Sequence, residues 1–230
     1  MNKKEKIMQA IKNNLVVSCQ ALPDEALHSS FIMGRMAKAA SLGGAKGIRA
    51  NSVEDIQEIK RVVDLPIIGI IKQVYDGSDV FITPTMKEVE QLCDEGVDIV
   101  AIDATNRIRP DGRTIHEVFP AIKEKYPDQL FMADCSCFED AKTAHELGFD
   151  LIGTTLSGYT EETKGRSLPD FELVEQLVKN IPAPIISEGG IWTPEQLAEM
   201  FELGVHTAVV GTAITRPYEI TKQFVHAIRD

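Results

Sequence analysis

The chain has 230 residues, 43% of them hydrophobic and 26% charged, which is enough apolar content for a sizeable core in an ordinary soluble composition. A formal net charge of −11 excludes a general nucleic-acid or anionic-membrane surface, since both require basic patches. No apolar run is long enough to span a bilayer, and the lysine-containing start lacks the apolar centre of a secretory signal, so a cytoplasmic location is expected.

Strand-like and helix-like segments alternate from end to end without a linker or low-complexity break, so residues 1–230 are expected to form one domain. After an amphipathic N-terminal helix, L-V-V-S-C-Q at Leu15–Gln20 reads as the first strand. The next helix, F-I-M-G-R-M-A-K-A-A-S-L, stops at Gly43-Gly44. Further strands are predicted at Gly47–Ala50, Ile67–Lys72, Ile99–Thr105, Leu130–Ser136 and Leu151–Thr155. The last two strands end in glycine turns, P-A-P-I-I-S-E-G-G-I at Pro182–Ile191 and T-A-V-V-G-T-A-I-T-R-P at Thr207–Pro217.

Between the strands, Ser52 is placed to cap a helix, and Gly96, Gly148 and Gly204 each end one just before a strand. Strands almost continuous in Val, Ile and Leu suit a parallel sheet buried on both faces. Eight βα units with short connections predict a single closed (β/α)8 TIM barrel with an extra N-terminal helix, an open doubly wound sheet being the alternative. Two connections are longer, Gln73–Pro84 and Leu156–Arg166, and are expected to cover the mouth as lids.

In such a barrel, a polar residue that closes an apolar strand faces the active-site mouth. The strand ends supply Gln20, Arg49, Lys72, Asp103, Asp134, Thr154, Thr155, Glu188 and Thr212. None of the five histidines falls among them, and Cys135-Ser-Cys137 is too tight for the usual zinc spacing. Neither a metal nor another cofactor is therefore expected, and the four cysteines read as free thiols.

Lys72 follows I-I-G-I-I, where desolvation would lower its pKa and make it a base or Schiff-base former; pairing with a carboxylate such as Asp134 is the alternative. Glu188 sits in a tight turn and would either transfer a proton or orient a ligand. Strands three and seven are four apart in a ring of eight, so these two residues would face each other across the mouth. That placement suits removal of a proton α to a carbonyl and its return to the other face.

Gly189, Gly190, Gly211 and Thr212 offer backbone N–H groups, and Arg216 a guanidinium, to a phosphate. Arg49 is a second candidate for anion recognition. Asp134 and Gln20 are candidates for contacts to sugar hydroxyls or an amide, with hydrogen bonding inside the barrel as the alternative. The ligand expected is a phosphorylated small molecule.

S-C-Q-A at 18–21, G-I-R-A-N at 47–51, I-G-I-I-K at 68–72, I-D-A-T at 102–105, A-D-C-S at 133–136, S-E-G-G-I at 187–191 and V-G-T-A-I-T-R-P at 210–217 lie in order over essentially the whole chain. Together they resemble the N-acetylmannosamine-6-phosphate 2-epimerase family. The resemblance implies interconversion of N-acetylmannosamine 6-phosphate and N-acetylglucosamine 6-phosphate in sialic-acid or amino-sugar catabolism. It also implies a catalytic role for Lys72 and Glu188, and substrate contacts from Gln20, Arg49, Asp134, Arg216 and the glycine turns. A homodimer is the assembly allowed for. Other phosphate-gripping barrel isomerases or lyases, and a phosphosugar sensor without turnover, are the rival classes; intact Lys72 and Glu188 count against the sensor.

Overall fold

The computed structural model describes residues 1–229. Eight parallel strands follow the chain around a closed barrel: β1 Leu15–Cys19, β2 Gly47–Asn51, β3 Ile67–Ile70, β4 Ile99–Asp103, β5 Leu130–Asp134, β6 Leu151–Gly153, β7 Ile185–Glu188 and β8 Thr207–Val210. The ring closes where β1 pairs with β8, Val16 opposite Val209. The open doubly wound sheet is thereby excluded.

The helices form the outer layer: α1 Lys3–Ile11, α2 Ser30–Leu42, α3 Val53–Val62, α4 Met86–Glu95, α5 Ile115–Lys125, α6 Phe138–Leu147, α7 Phe171–Asn180, α8 Pro194–Leu203, the short α9 Thr212–Thr215, and α10 Pro217–His226. The punctuation in the sequence is used as expected. Ser52 Oγ accepts the Asp55 N–H at 3.3 Å. Gly96, Gly148 and Gly204 close their helices with φ of +72°, +86° and +99°, a region glycine enters without a Cβ penalty.

Two apolar clusters hold the barrel. The inner one stacks Val16, Ile68, Ile70, Ile99, Leu130, Met132, Leu151, Ile186 and Val209 inside the ring, and Ile7 and Ile11 of α1 join it. The outer one joins the other face of the strands to the helices, through residues such as Val17, Ile48, Val100, Phe131 and Ile152. Side chains alternate along a strand with a period of two. Continuing the inward register past Ile70 reaches Lys72, past Met132 reaches Asp134, and past Ile186 reaches Glu188. The same alternation that packs the barrel therefore aims these polar ends at its axis.

The chain departs from the predicted strands chiefly after β3. That strand stops at Ile70, and Lys72 pairs antiparallel with Ile82 at the root of a hairpin. Gln73 N–H donates to Phe81 O at 2.9 Å and Thr83 N–H to Ile71 O at 2.7 Å, so the expected cover is a short β-ribbon. Tyr75 Oη at its tip donates to Glu88 Oε1 at 2.8 Å, and Ser78 Oγ donates to Ile108 O at 2.9 Å. The other long connection, after β6, runs as consecutive turns before α7.

Candidate active site

A cavity of about 460 Å³ opens at the C-terminal mouth of the strands, where active sites of this barrel lie. Of the residues expected there, Gln20, Arg49, Lys72, Glu188, Gly189, Gly190, Gly211, Thr212 and Arg216 all line it. Asp134 does not. Its carboxylate is fully buried beneath the floor, where Arg49 Nη1 and Nη2 donate to its two oxygens at 3.0 and 2.6 Å. The carboxylate thus pairs with Arg49 and not with Lys72, because a planar guanidinium fork matches a carboxylate in a way an ammonium cannot.

Arg49 is only 1% exposed and meets a second carboxylate, Glu188, through Nη1 to Oε2 at 2.9 Å. Thr155 completes the network, donating from Oγ1 to Asp134 Oδ1 at 2.6 Å while lying 3.3 Å from Glu188 Oε2. The site thus joins β2, β5, the end of β6 and β7 through one buried cation shared by two anions.

Two titratable groups are left facing the cavity in unusual states. Burial lowers the Lys72 ammonium to about 8, and the positive charges of Arg49 and Arg216 push the same way. Burial raises the Glu188 carboxyl to about 7, against the opposing pull of Arg49 and with help from the Asp134 charge. The Lys72 Nζ takes no hydrogen bond or ion pair among the described residues, while its backbone N–H donates to Asn51 Oδ1 at 2.8 Å. An amine and a carboxyl that both change charge near neutrality, at strand ends on opposite sides of the ring, form a workable acid–base pair.

The turn after β7 is shaped by glycine where a side chain could not sit. Gly189 and Gly190 have φ of +112° and +72°, and a Cβ on Gly190 would lie 2.4 Å from Leu168 Cβ. Arg216 lies on the wall just after α9 and pairs through Nη2 with Glu25 Oε2 at 3.2 Å. Gln20 Nε2 donates to Ser18 Oγ at 2.8 Å, and its buried Oε1 has no protein partner. That orphaned acceptor on the cavity wall calls for a donor from a ligand.

Strand-end reasoning gives no role to Ser18, Phe81, Tyr159, Trp192 or Glu25. Ser18 points inward one alternation before Gln20, so the period-two rule is the signal that could find it. Phe81 and Tyr159 arrive on the two long connections, and Trp192 follows the glycine turn of β7; no periodicity points to them. Among the described residues no group of three or more His, Cys, Asp or Glu side chains is arranged to hold a metal ion.

Fold and site define a (β/α)8 barrel with a polar cavity at the mouth of its strands, lined by an amine and a carboxyl that both titrate near neutrality and by glycine turns beside Arg216. The chain belongs to the N-acetylmannosamine-6-phosphate epimerase family, whose model, described as "Putative N-acetylmannosamine-6-phosphate epimerase", matches residues 33–230. A relative from Caldanaerobacter subterraneus, described as "Putative N-acetylmannosamine-6-phosphate 2-epimerase", is 54% identical over 224 residues, covering 97% of this chain and 94% of its own. One from Borrelia garinii with the same description is 57% identical over 225 residues, covering 96% and 97%. Among solved structures, the N-acetylmannosamine-6-phosphate 2-epimerase from Clostridium perfringens superposes with a TM-score of 0.92 at 54% identity, covering 96% of this chain and 95% of that one.

Proposed function

We propose that this chain interconverts N-acetylmannosamine 6-phosphate and N-acetylglucosamine 6-phosphate by removing and returning the proton at C2, serving sialic-acid or amino-sugar catabolism. The observation that carries the reading is the pairing of Lys72 at about 8 with Glu188 at about 7 on opposite sides of one cavity, in a chain of this family.

Inversion at C2 requires the open-chain aldehyde, because only a carbonyl at C1 acidifies the C2 hydrogen. Neutral Lys72 takes that proton, leaving an enolate whose charge sits on the C1 oxygen. Lys72, now an ammonium, and the Arg49 guanidinium are the cavity-lining cations we assign to favour that charge. A proton delivered to the other face of C2 gives the epimer, and Glu188, titrating near neutrality, is the donor we assign. In the reverse direction the two exchange roles.

Substrate contacts are assigned to Gln20, whose orphaned Oε1 accepts from a hydroxyl or the acetamido N–H, and to Arg49 at the floor. Gly189, Gly190, Gly211, Thr212 and Arg216 hold the phosphate. Asp134 acts on the substrate through Arg49 rather than directly. We assign no metal or organic cofactor to the reaction, since proton transfer at an α-carbon asks for neither.

The assembly we propose is a homodimer built on α10. This helix has no buried residue and leaves Tyr218 and Phe224 exposed at 68% and 74%. Light scattering tests it: a monomer at micromolar concentration refutes the dimer. The four cysteines are all free, which supports a reducing, cytoplasmic location.

The test of function is direct. N-acetylmannosamine 6-phosphate incubated with the protein and followed by proton NMR should approach a mixture with N-acetylglucosamine 6-phosphate, and chelators should leave the rate unchanged. No conversion, or conversion only on addition of a divalent ion, overturns the reading. The unphosphorylated sugar should turn over far more slowly.

A further inference from the structure

Arg216 reaches the cavity from the junction of α9 and α10, on a long side chain that is still 32% exposed. Such a side chain carries rotamer freedom that a ligand must freeze when it binds. In this structure something already holds it. Arg216 Nη2 donates to Glu25 Oε2 at 3.2 Å, across 191 residues of sequence. The partner lies in the connection between β1 and α2, and β1 adjoins β8 in the ring.

Glu25 is itself held independently of Arg216. The same Oε2 accepts the Leu22 N–H at 2.6 Å, the Glu25 N–H donates to Leu22 O at 2.9 Å, and the His28 N–H donates to Glu25 O at 3.0 Å. The loop is thus closed on itself, with the His28 ring a further 3.2 Å from Ala21 O. A second tie fixes the two strands' ends together, Thr215 Oγ1 donating to Ser18 O at 2.7 Å. Glu25 contacts only one nitrogen of the guanidinium, and Nε, Nη1 and the second hydrogen of Nη2 are left to a ligand of the cavity that Arg216 lines.

We propose that Glu25 is a positioning residue for the phosphate: fixed in its own loop, it anchors Arg216 by one nitrogen and leaves the rest of the fork presented to an anion in the cavity. This rests on the reading of Arg216 as part of the phosphate seat. Glu25 does not touch the sugar. It sets how much of the Arg216 contact is realised on binding, which makes it a determinant of preference for the phosphorylated substrate.

The experiment is a double-mutant cycle with two readouts. For N-acetylmannosamine 6-phosphate turnover, E25A should raise KM about fivefold, the scale of one partly exposed ion pair, with a smaller change in kcat. E25Q keeps an oxygen for Leu22 N–H and Arg216 Nη2 and should recover part of that loss. On R216A, adding E25A should change KM little.

Inorganic phosphate, followed by fluorescence of Trp192 on the cavity wall, gives the same cycle without turnover: weaker binding in E25A, and no further weakening when E25A is added to R216A. Phosphate binding in E25A as tight as in the parent or tighter, or an equal loss with and without Arg216, overturns the proposal. A protein that fails to epimerise the sugar but obeys the phosphate cycle would overturn the function and leave the role of Glu25 standing.

Discussion

Arg49 Nη1 lies 2.9 Å from Glu188 Oε2, and yet Glu188 is raised to about 7 rather than lowered. The reason is that Arg49 is already engaged in both directions. Its two terminal nitrogens grip Asp134, so one cation serves two buried anions, and burial of Glu188 outweighs its share of the attraction. Asp134 thereby keeps Glu188 available to hold a proton at neutral pH, although Asp134 never faces the cavity.

Replacing Asp134 tests this relation. D134N removes one partner of a buried pair, and breaking such pairs costs about 3–5 kcal/mol, so a clear fall in thermal stability is expected. Loss of the Asp134 charge also removes a cause that raises Glu188 and frees Arg49 to pair with it. Both effects lower the Glu188 pKa, so the acid limb of the pH–rate profile should move to lower pH. An acid limb that stays in place would separate Asp134 from Glu188.

The wild-type profile distinguishes one working group from two. Below about 7 both Lys72 and Glu188 carry protons, above about 8 neither does, and between these values the pair carries one. A mechanism that uses both needs one proton on the pair in either direction, so kcat/KM should be bell-shaped, with limbs near 7 and 8 that belong to the pair. If Lys72 works alone as a neutral base, the rate should rise through about 8 and hold a plateau above it.

Lys72→Ala should abolish most turnover, costing about 10²-fold or more in kcat, while substrate binding remains measurable through Trp192 fluorescence. The substitution leaves the ribbon pairing with Ile82 and the Lys72 N–H to Asn51 Oδ1 bond in place, since residue 72 makes both through its own backbone. Near-normal kcat would make Lys72 structural and end the mechanism.

Arg216→Ala should act on KM more than on kcat. A phosphate remote from C2 is held alike in the ground state and transition state, so its loss is one of uniform binding. The expected loss is about 2 kcal/mol, the scale of a charge-assisted hydrogen bond. A fall confined to kcat would place Arg216 at the reacting carbon instead of the phosphate.

How far the sequence alone reveals the fold and the site depends on the kind of information each residue carries. The barrel is legible because eight apolar strands with glycine-closed helices repeat one physical unit, and the inward register of those strands points to Lys72, Glu188 and Arg49. Pairing across the barrel is not legible. Asp134 closes β5 and Arg49 sits at the middle of β2, and nothing in either segment says that their side chains meet under the cavity floor. Lys72 reads as the end of a strand, whereas the chain has already turned into the ribbon that carries Phe81 over the mouth. Glu25 is invisible for a simpler reason: it lies in an irregular loop, where neither periodicity nor a motif singles out one carboxylate from its neighbours.

Isotope exchange tests the central step most directly. Deprotonation at C2 followed by delivery from a group that exchanges with solvent should place deuterium at C2 when the reaction is run in D2O. With two groups, the deuteron arriving on the far face comes from a site that never held the substrate hydrogen. Product should then carry label while substrate recovered early carries none. A single lysine that shuttles between faces behaves differently, because its ammonium holds three hydrogens. If it returns one before exchanging, about a third of the product should keep the original hydrogen. If it exchanges first, label should enter recovered substrate as fast as product. The placement of Lys72 and Glu188 across the mouth leads us to expect the first pattern, and E188Q, lacking the far-face donor, should slow turnover and make deuterium wash-in to the substrate appear. Full retention of the C2 hydrogen over many turnovers would contradict exchange with solvent altogether, and the acid–base pair would lose its role.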